Sequence, residues 1–461
     1  MATHAKGTPV TTKGTIWHGE RRFLTMGLLL VVAGTAFDAL AVSTALPVTA
    51  RELGGLSLYG WAFSAFALTD LIGIVVAGRE ADRYGSFVPF AAGTVLFVAG
   101  LLIAGSAPTM AVVIIGRAVQ GLGSGAIVSV AYVAVGRGYP EADKPRMLAL
   151  LATAWVVPGL IGPGIGGVVA ERLGWRWIFL GLAIFVVLAA ASAVVPMRRI
   201  APAANTSPRD WQRIGAAIAL ACGVTVLQAA PQQHQPWLVA LLSLSGGGLL
   251  VVTLPRLLPR GTWRAAAGLP AVVALTALLH LAFFGVDSFV PLALTNGRGQ
   301  SATFAGLALT ASTLCWSVGA RAQERGVQRF SRRAVAWAGL ASIGLGIALV
   351  LLVLQPSVSV WLVIPAWGVG GFGMGLTYTT LTLTMLGTAV PGHEGEASSA
   401  TELAGMLSFA LATGLGGVII SMAHGGASAL RGSLAVQFTL MLLAVGVAAL
   451  AARNLPSDSP H

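Results

Sequence analysis

Long apolar runs dominate this chain and leave few folds open to it. A helix that crosses a bilayer needs about 20 consecutive, mostly apolar residues. Fourteen stretches meet that length, approximately 22–47, 56–79, 87–106, 109–135, 147–171, 175–196, 212–231, 236–255, 265–294, 302–321, 334–354, 358–388, 397–424 and 431–452. Only 10% of the 461 residues are charged, where a soluble protein of this length carries about 25%. Mean hydropathy is +0.82. One large water-soluble core is excluded, and an all-α polytopic membrane protein with 14 transmembrane helices is implied. The weakest break lies between runs seven and eight, at Gln228-Ala229-Ala230-Pro231-Gln232-Gln233-His234-Gln235-Pro236. If that pair does not cross, twelve spans remain.

A net charge of +12 is also a mark of nucleic-acid binders, but the basic residues here stand singly between apolar runs. That is the pattern of helix-flanking anchors, so the expected partner is the lipid bilayer and not nucleic acid. Of the 28 Lys and Arg residues, 22 fall on the tails and on alternate loops, five (Arg51, Arg172, Arg176, Arg298, Arg431) fall on the other side, and Arg117 lies within a span. Loops rich in Lys and Arg stay in the cytoplasm, which puts both termini there. The frequent use of Gly, Ala and Arg suits a GC-rich bacterium, and hence its cytoplasmic (inner) membrane. Cys222 and Cys315 each sit inside an apolar run and read as reduced packing residues. Residues 1–20 are polar and the first apolar run is long enough to span, so no cleavable signal is expected.

The stretch Trp155 to Gly167 holds five glycines and two prolines, and no charge occurs from Met147 to Ala170. In water that composition destroys a helix. In a bilayer neighbouring helices satisfy the freed backbone groups, and small residues let backbones pack closely. The expectation is a kinked, tightly packed span. An internal repeat is also visible. Gly121-Leu122-Gly123-Ser124-Gly125 recurs as Gly371-Phe372-Gly373-Met374-Gly375, and Gly164-Ile165-Gly166-Gly167-Val168 recurs as Gly414-Leu415-Gly416-Gly417-Val418, both at an offset of 250. Asp38 and Asp287 lie 249 apart. The expected plan is a tail at 1–21, a six-helix bundle at 22–196, a linker with two extra helices at 197–264, a second six-helix bundle at 265–452 and a tail at 453–461. Parallel repeats of this kind are the build of secondary transporters.

Gly78-Arg79-Glu80-Ala81-Asp82-Arg83-Tyr84-Gly85 resembles the loop signature of the major facilitator superfamily: a glycine, then Asp-Arg, then a second glycine. Glu80 stands where a leucine is usual, and Ser86-Phe87 replace a basic pair. The resemblance implies that Asp82 caps a neighbouring helix and pairs with an arginine, holding the halves together in the outward-open state, with Asp82 and Arg83 in these roles. Gly319-Ala320-Arg321-Ala322-Gln323-Glu324-Arg325-Gly326 looks like a degraded copy. Gly116-Arg117-Ala118-Val119-Gln120-Gly121 resembles the fourth-helix signature of that family, whose arginine is tied to proton coupling. An arginine within a span costs about 2.5–3.5 kcal/mol on insertion scales, so Arg117 faces a cavity, meets an acid, or snorkels to the interface. Trp367 occupies its repeat-related position. Pro158, Gly162, Pro163, Gly166 and Gly167 are similar to the fifth-helix signature of the antiporters, with Pro158 where a glycine is usual. Leu173-Gly174-Trp175-Arg176-Trp177-Ile178-Phe179 looks like the fourteen-span drug:proton branch.

Acids within spans are the candidates for proton binding, ranked Asp38, Asp70, Asp287 and Glu402. An ion pair of Arg117 with Asp38 or with Asp70 fits the composition equally well. His280 either shares a proton with Asp287 or is a hydrogen-bonded structural histidine. A cavity for lipophilic cations calls for aromatics, polar groups and a carboxylate. Trp61, Gln120, Trp155, Phe283, Phe284, Trp316, Trp367 and Tyr378 are the candidate lining, each with ordinary packing as its alternative. Trp17, Trp211, Trp237, Trp263, Trp337 and Trp361 sit near span ends as interfacial anchors.

No phosphate loop with Gly-Lys-Ser/Thr occurs, so ATP is not the expected energy source. No metal set and no nucleophile elbow occur either, and neither cofactor nor enzyme activity is expected. The expected function is proton-driven efflux of an amphipathic or cationic compound by a monomer. Export of an endogenous lipid or metabolite is the alternative, and coupled uptake is disfavoured by the fifth-helix stretch.

Overall fold

The computed structural model describes residues 15–17, 19, 21–200, 202, 211–233, 235–390, 394–422 and 426–455. Most of the expected tails at 1–21 and 453–461, and the polar stretch at the start of the 197–264 linker, lie outside the described residues. Fourteen helices among the described residues are long and apolar enough to cross a bilayer. They are α1 Arg21–Glu52, α2 Tyr59–Tyr84, α3 Phe87–Gly105, α4 Met110–Gly138, α5 Lys144–Val169, α6 Arg176–Met197 and α7 Trp211–Ala229. The remainder are α8 Pro236–Leu257, α9 Leu269–Asp287, α10 Ala302–Gly326, α11 Arg332–Val353, α12 Val363–Thr388, α13 Glu394–Ser421 and α14 Gly426–Ala451. Runs seven and eight are thus both helical over spanning length, and the chain is a multi-pass membrane protein. Fourteen alternating spans bring the start of α1 and the end of α14 to one face, here the terminal face; the opposite one is the far face.

Local chemistry sets several boundaries. Ser301 and Ser331 accept from the amides of Phe304 and Ala334 at 3.0 and 3.2 Å and start α10 and α11. Gly85, at φ +80°, stops α2 in a conformation that disfavours a side chain. Pro158 and Pro163 lie inside α5 without ending it. The helix runs on into a wide turn, Ala170–Gly174, that closes on Gly174 at φ +96°.

The glycine repeat is a repeat of packing. A Cβ on Gly121 or Gly125 would fall 2.2 Å from Phe66 O or 2.0 Å from Asp70 O, so α4 lies backbone to backbone on α2. In the second half, a Cβ on Gly371 or Gly375 would fall 2.0 Å from Ser312 O or 2.2 Å from Trp316 O, which puts α12 on α10 in the same way. Close backbone approach is how helices associate where lipid removes the hydrophobic drive.

The two six-helix groups, α1–α6 and α9–α14, meet along two seams. In one, α5 lies on α10, with Gly167 against the backbone of Ala302 and Thr303. In the other, α2 lies on α13, with Gly417 against the backbone of Gly60. Gly167 and Gly417 are the repeat-related pair, so the far face is closed twice by the same device. The inserted α7 packs beside the second seam. Its Ala217, Leu220, Ala221 and Val224 join Ala67, Leu68 and Leu71 of α2 and Leu407 and Ala410 of α13 in one buried cluster. Gln228 of α7 donates from Nε2 to Ala410 O at 2.9 Å. The second inserted helix, α8, leans on α7 through Gly246 and Gly223 and is otherwise largely exposed to the bilayer.

Candidate functional site

Arg117 and Gln120 are three residues apart on α4 and therefore share a face. That face turns inward onto Asp38 of α1, which is fully buried. Arg117 donates from Nη1 to Asp38 Oδ2 at 2.5 Å and to Gln120 Oε1 at 3.2 Å. Gln120 donates in turn from Nε2 to Asp38 Oδ1 at 3.2 Å. The guanidinium also donates from Nε to Ala62 O at 3.3 Å and lies 4.1 Å from the ring centre of Phe66. Of the two acids open to it from sequence, Arg117 thus pairs with Asp38. Asp70 is buried on α2, and Glu402 on α13 is accessible.

Such a pair is stable only as a pair. Removing either charge leaves the other in a low-dielectric interior, which is strongly unfavourable. Neutralising Asp38 would leave Arg117 with Gln120 Oε1 and Ala62 O as its remaining acceptors.

The second half repeats this geometry with different chemistry. Trp367 of α12 donates from Nε1 to Asp287 Oδ1 at 2.7 Å, at the end of α9. Its ring stacks on Phe283 at 5.0 Å and 15°. Phe283 meets Phe284 and Trp316 edge-on, and Trp316 meets Tyr378 at 5.9 Å. His280 lies between Phe284 and Tyr378 and is hydrogen-bonded from Nδ1 to Thr276 O at 2.9 Å. Five of the aromatics singled out from the sequence thus form one connected group, tied to the half-buried Asp287 through Trp367. Trp61 and Trp155 join none of these ring contacts, and Trp155 is 41% exposed.

At the terminal face Asp82 forms an ion pair with Arg137 of α4, which also donates from Nη1 to Ala81 O at 3.1 Å and caps the end of α2. Arg83, the expected partner, lies over the ring of Tyr84 instead. Arg137 carried only a faint sequence signal, as one basic residue in the last turn of a span. A Cβ on Gly78 would fall 2.8 Å from Ser129 Oγ of α4, so this glycine holds α2 close to α4.

At the far face three polar contacts that sequence reasoning missed tie the halves together. Tyr59 donates to Ser288 O at 2.9 Å, and Arg51 donates to Asn296 Oδ1 at 2.9 Å. Glu171, past the end of α5, accepts from the amide of Thr303 at 3.1 Å and from its hydroxyl at 2.6 Å. A carboxylate of one half thereby caps the first turn of a helix in the other. Nearby, Trp175 and Arg176 both donate to Glu52, at 2.8 and 2.6 Å, within the first half. Among the described residues no group of three or more His, Cys, Asp and Glu is placed to hold a metal ion.

Residues 26–279, more than half of the chain, match the model of the Major Facilitator Superfamily. The chain belongs to that superfamily. It is a transporter and not an enzyme. Over 160 residues, 35% of this chain and 30% of the other, it is 31% identical to the multidrug transporter protein MdtP of Bacillus subtilis. Over 369 residues, 76% of this chain and 60% of the other, it is 27% identical to the MFS transporter L2 of a Phoma species. These matches thus span less than two thirds of those relatives' lengths. Over 449 residues, 92% of this chain and 93% of the other, it is 26% identical to a probable multidrug-efflux transporter of Mycobacterium tuberculosis. Among solved structures it resembles the peptide transporter POT, with a TM-score of 0.69 at 14% identity over 96% of this chain and 97% of that one. A bacterial homologue of the human lysosomal transporter Spinster, in an inward-facing conformation, gives 0.65 at 15% identity over 94% and 97%. At such identities these two neighbours speak for the major facilitator fold alone.

Proposed function

We propose that this major facilitator transporter is a proton-coupled antiporter that exports amphipathic or cationic compounds by alternating access. The observation that carries the reading is the buried Asp38–Arg117 pair, a carboxylate whose protonation frees a cation inside the membrane. The multidrug relatives of Bacillus subtilis and Mycobacterium tuberculosis support the choice of cargo. The protein sits in a bacterial cytoplasmic membrane as a monomer, with both termini and the terminal face in the cytoplasm, and contributes to antibiotic resistance.

In the proposed cycle the far face is shut by Gly167, Gly417 and the three polar contacts, and cargo binds from the terminal side. Asp38, with Arg117, exchanges the proton, and Asp70, Asp287 and Glu402 are the further acids that tune it. The aromatic group around Phe283, Phe284, Trp316, Trp367 and Tyr378 holds the cargo, together with Gln120, Trp61 and Trp155. Gly78, Asp82, Arg83 and Gly85 on one face, and the Pro158 to Gly167 stretch on the other, govern the rocking of the halves. A ligand shifts such a balance only by its differential affinity for the two states, which a neutralised buried charge supplies.

The test is transport in proteoliposomes under an imposed pH gradient, with a panel of cationic dyes. Antiport fills vesicles that are acidic inside and not those that are alkaline inside. Uptake that runs in the same direction as the protons overturns the assignment.

A further inference from the structure

The inserted helices α7 and α8 stand between the two halves in sequence, and their contacts with the halves differ in kind. Toward the first half the buried contact is apolar. Ala217, Leu220, Ala221 and Val224 follow at three- and four-residue steps on α7 and share a face. That face lies with Ala67, Leu68 and Leu71 of α2 in one buried cluster, which Leu407 and Ala410 of α13 complete. Lipid is as apolar as these side chains, so such a contact slides at little cost.

Toward the second half the same face of α7 ends in a polar anchor. Gln228, four residues beyond Val224, is buried and donates from Nε2 to Ala410 O at 2.9 Å. Its amide lies against Gly414, where a Cβ would fall 2.1 Å from Gln228 Nε2. Gly414 repeats Gly164 of the first half, and a Cβ on Gly164 would have only Thr310 Oγ1 within 4.0 Å. The place that the repeat leaves open in one half is thus filled in the other by a side chain from the insertion. Pulling Gln228 off α13 would strand an amide in hydrocarbon, where no water replaces the lost acceptor.

Two further contacts fall on the same side. The turn from α8 into α9 holds Ala265 at φ +45°, and Asn454, just past α14, donates from Nδ2 to Ala265 O at 2.8 Å. That conformation disfavours a side chain and persists only where its surroundings impose it. At the terminal end of α8, Leu257 and Leu258 line a cavity with Leu269, Val390, Ala397 and Ala400 of the second half. No described residue of the first half lines it.

We propose that α7 and α8 move as part of the second half, anchored by Gln228, and that α2 slides along α7 as the halves rock. The α2/α13 seam then keeps a helix across it in both states, and the moving bodies have six and eight helices. This rests on the reading of the protein as an alternating-access transporter, and the test separates the two.

The experiment uses the full chain, with Cys222 and Cys315 replaced by serine, carrying pairs of spin labels at the terminal face. Tyr84 of α2, Gln212 of α7 and Ser399 of α13 are exposed there and are replaced by cysteine two at a time. Distances are read in nanodiscs at acidic and alkaline pH, with and without tetraphenylphosphonium. The Tyr84–Ser399 pair is expected to show two distance populations whose ratio changes between these conditions. The Gln212–Tyr84 pair is expected to change with it, while Gln212–Ser399 keeps one narrow distance throughout. A Gln212–Ser399 distance that changes along with Tyr84–Ser399 overturns the proposal alone. A Tyr84–Ser399 pair that keeps one distance in every condition means that the halves do not rock, and alternating access falls together with the proposal. Gln228→Leu removes the anchor, and Gly414→Ala displaces it without altering the glutamine. Each is expected to split the single Gln212–Ser399 distance into two, while Tyr84–Ser399 keeps both of its populations. A Gln212–Ser399 distance left single by both variants overturns Gln228 as the anchor.

Discussion

Trp367 donates its indole N–H to Asp287 at 2.7 Å and stands 250 residues after Arg117, which donates to Asp38 at 2.5 Å. Both halves thus keep an acid on their first helix and a donor on their fourth. Only the first half keeps the countercharge. A proton on Asp38 strands a buried guanidinium, whereas a proton on Asp287 leaves behind only a neutral indole. The same geometry thus sets an acid paired to a charge in one half against an acid paired to a neutral donor in the other, and the proposed coupling is assigned to the first.

Breaking the Asp38–Arg117 pair from one side is expected to be costly. Arg117→Met strands a carboxylate and Asp38→Asn strands a guanidinium, each at about 3–5 kcal/mol. The double variant removes both charges and is expected to recover part of the lost thermal stability, as read by unfolding in detergent. All three variants are expected to lose transport driven by a pH gradient. A single variant that keeps gradient-driven transport counts against Asp38 as the proton site.

Trp367→Phe tests the second half. The ring stack on Phe283 survives, but the half-buried Asp287 loses its donor, a loss of about 0.5–1.5 kcal/mol, the net worth of an ordinary hydrogen bond. Trp367→Ala also empties the stack and is expected to cost about 3–5 kcal/mol in total. Since the Asp38–Arg117 pair is untouched, Trp367→Phe is expected to retain its response to a pH gradient while its half-saturating dye concentration changes. Complete loss of that response would mean that the two acids act as one unit.

The sequence disclosed the spans, the repeat and the tight packing of the Trp155 to Gly167 stretch because length, offset and glycine each carry their meaning locally. It did not disclose which face of each helix turns inward. In lipid both faces are apolar, so the amphipathic signal that orients a helix in water is missing. Val156 and Gly159 read alike, yet one is exposed and the other buried. Trp155 is 41% exposed, and nothing in its sequence surroundings signals that exposure. Arg137 finds Asp82 at a separation of 55 residues, and Gln228 finds Ala410 across 182. Such partners are set by how helices stack. The loop signature pointed to Asp82 correctly as a paired residue, but the neighbouring Arg83 drew attention from the arginine one helix away.

The paired glycines at the far face give a prediction with a built-in control. A Cβ on Gly167 would lie 2.6 Å from Ala302 O, and one on Gly417 would lie 2.9 Å from Gly60 Cα, so neither fits without moving backbone. Gly167→Ala and Gly417→Ala are each expected to hold their seam apart, raising passive dye leak from vesicles without a gradient. Gly247→Ala on α8, where nothing lies within 4 Å, is expected to leave leak unchanged. Equal leak in all three would place the effect in helix propensity and not in the seam.

Glu171 is where the closed far face is most open to test. Its carboxylate takes both the amide and the hydroxyl of Thr303, so it caps α10 from the opposite half and must let go whenever the far face opens. Loss of a cap costs about 0.5–2 kcal/mol, and here that energy belongs only to the closed state, so Glu171→Ala is expected to move the closed-to-open ratio toward open by about two- to thirtyfold. Glu171→Gln keeps an acceptor without the charge and falls between, and Thr303→Val removes the hydroxyl contact alone and falls nearest the parent. Spin labels at Leu173→Cys and Ser357→Cys, both exposed on the far face in opposite halves, report the ratio as two distance populations. A contact that merely stabilises the fold would lower the unfolding temperature and leave those populations unchanged. A clamp moves the populations in the order Ala, Gln, Val, and that order is the outcome expected.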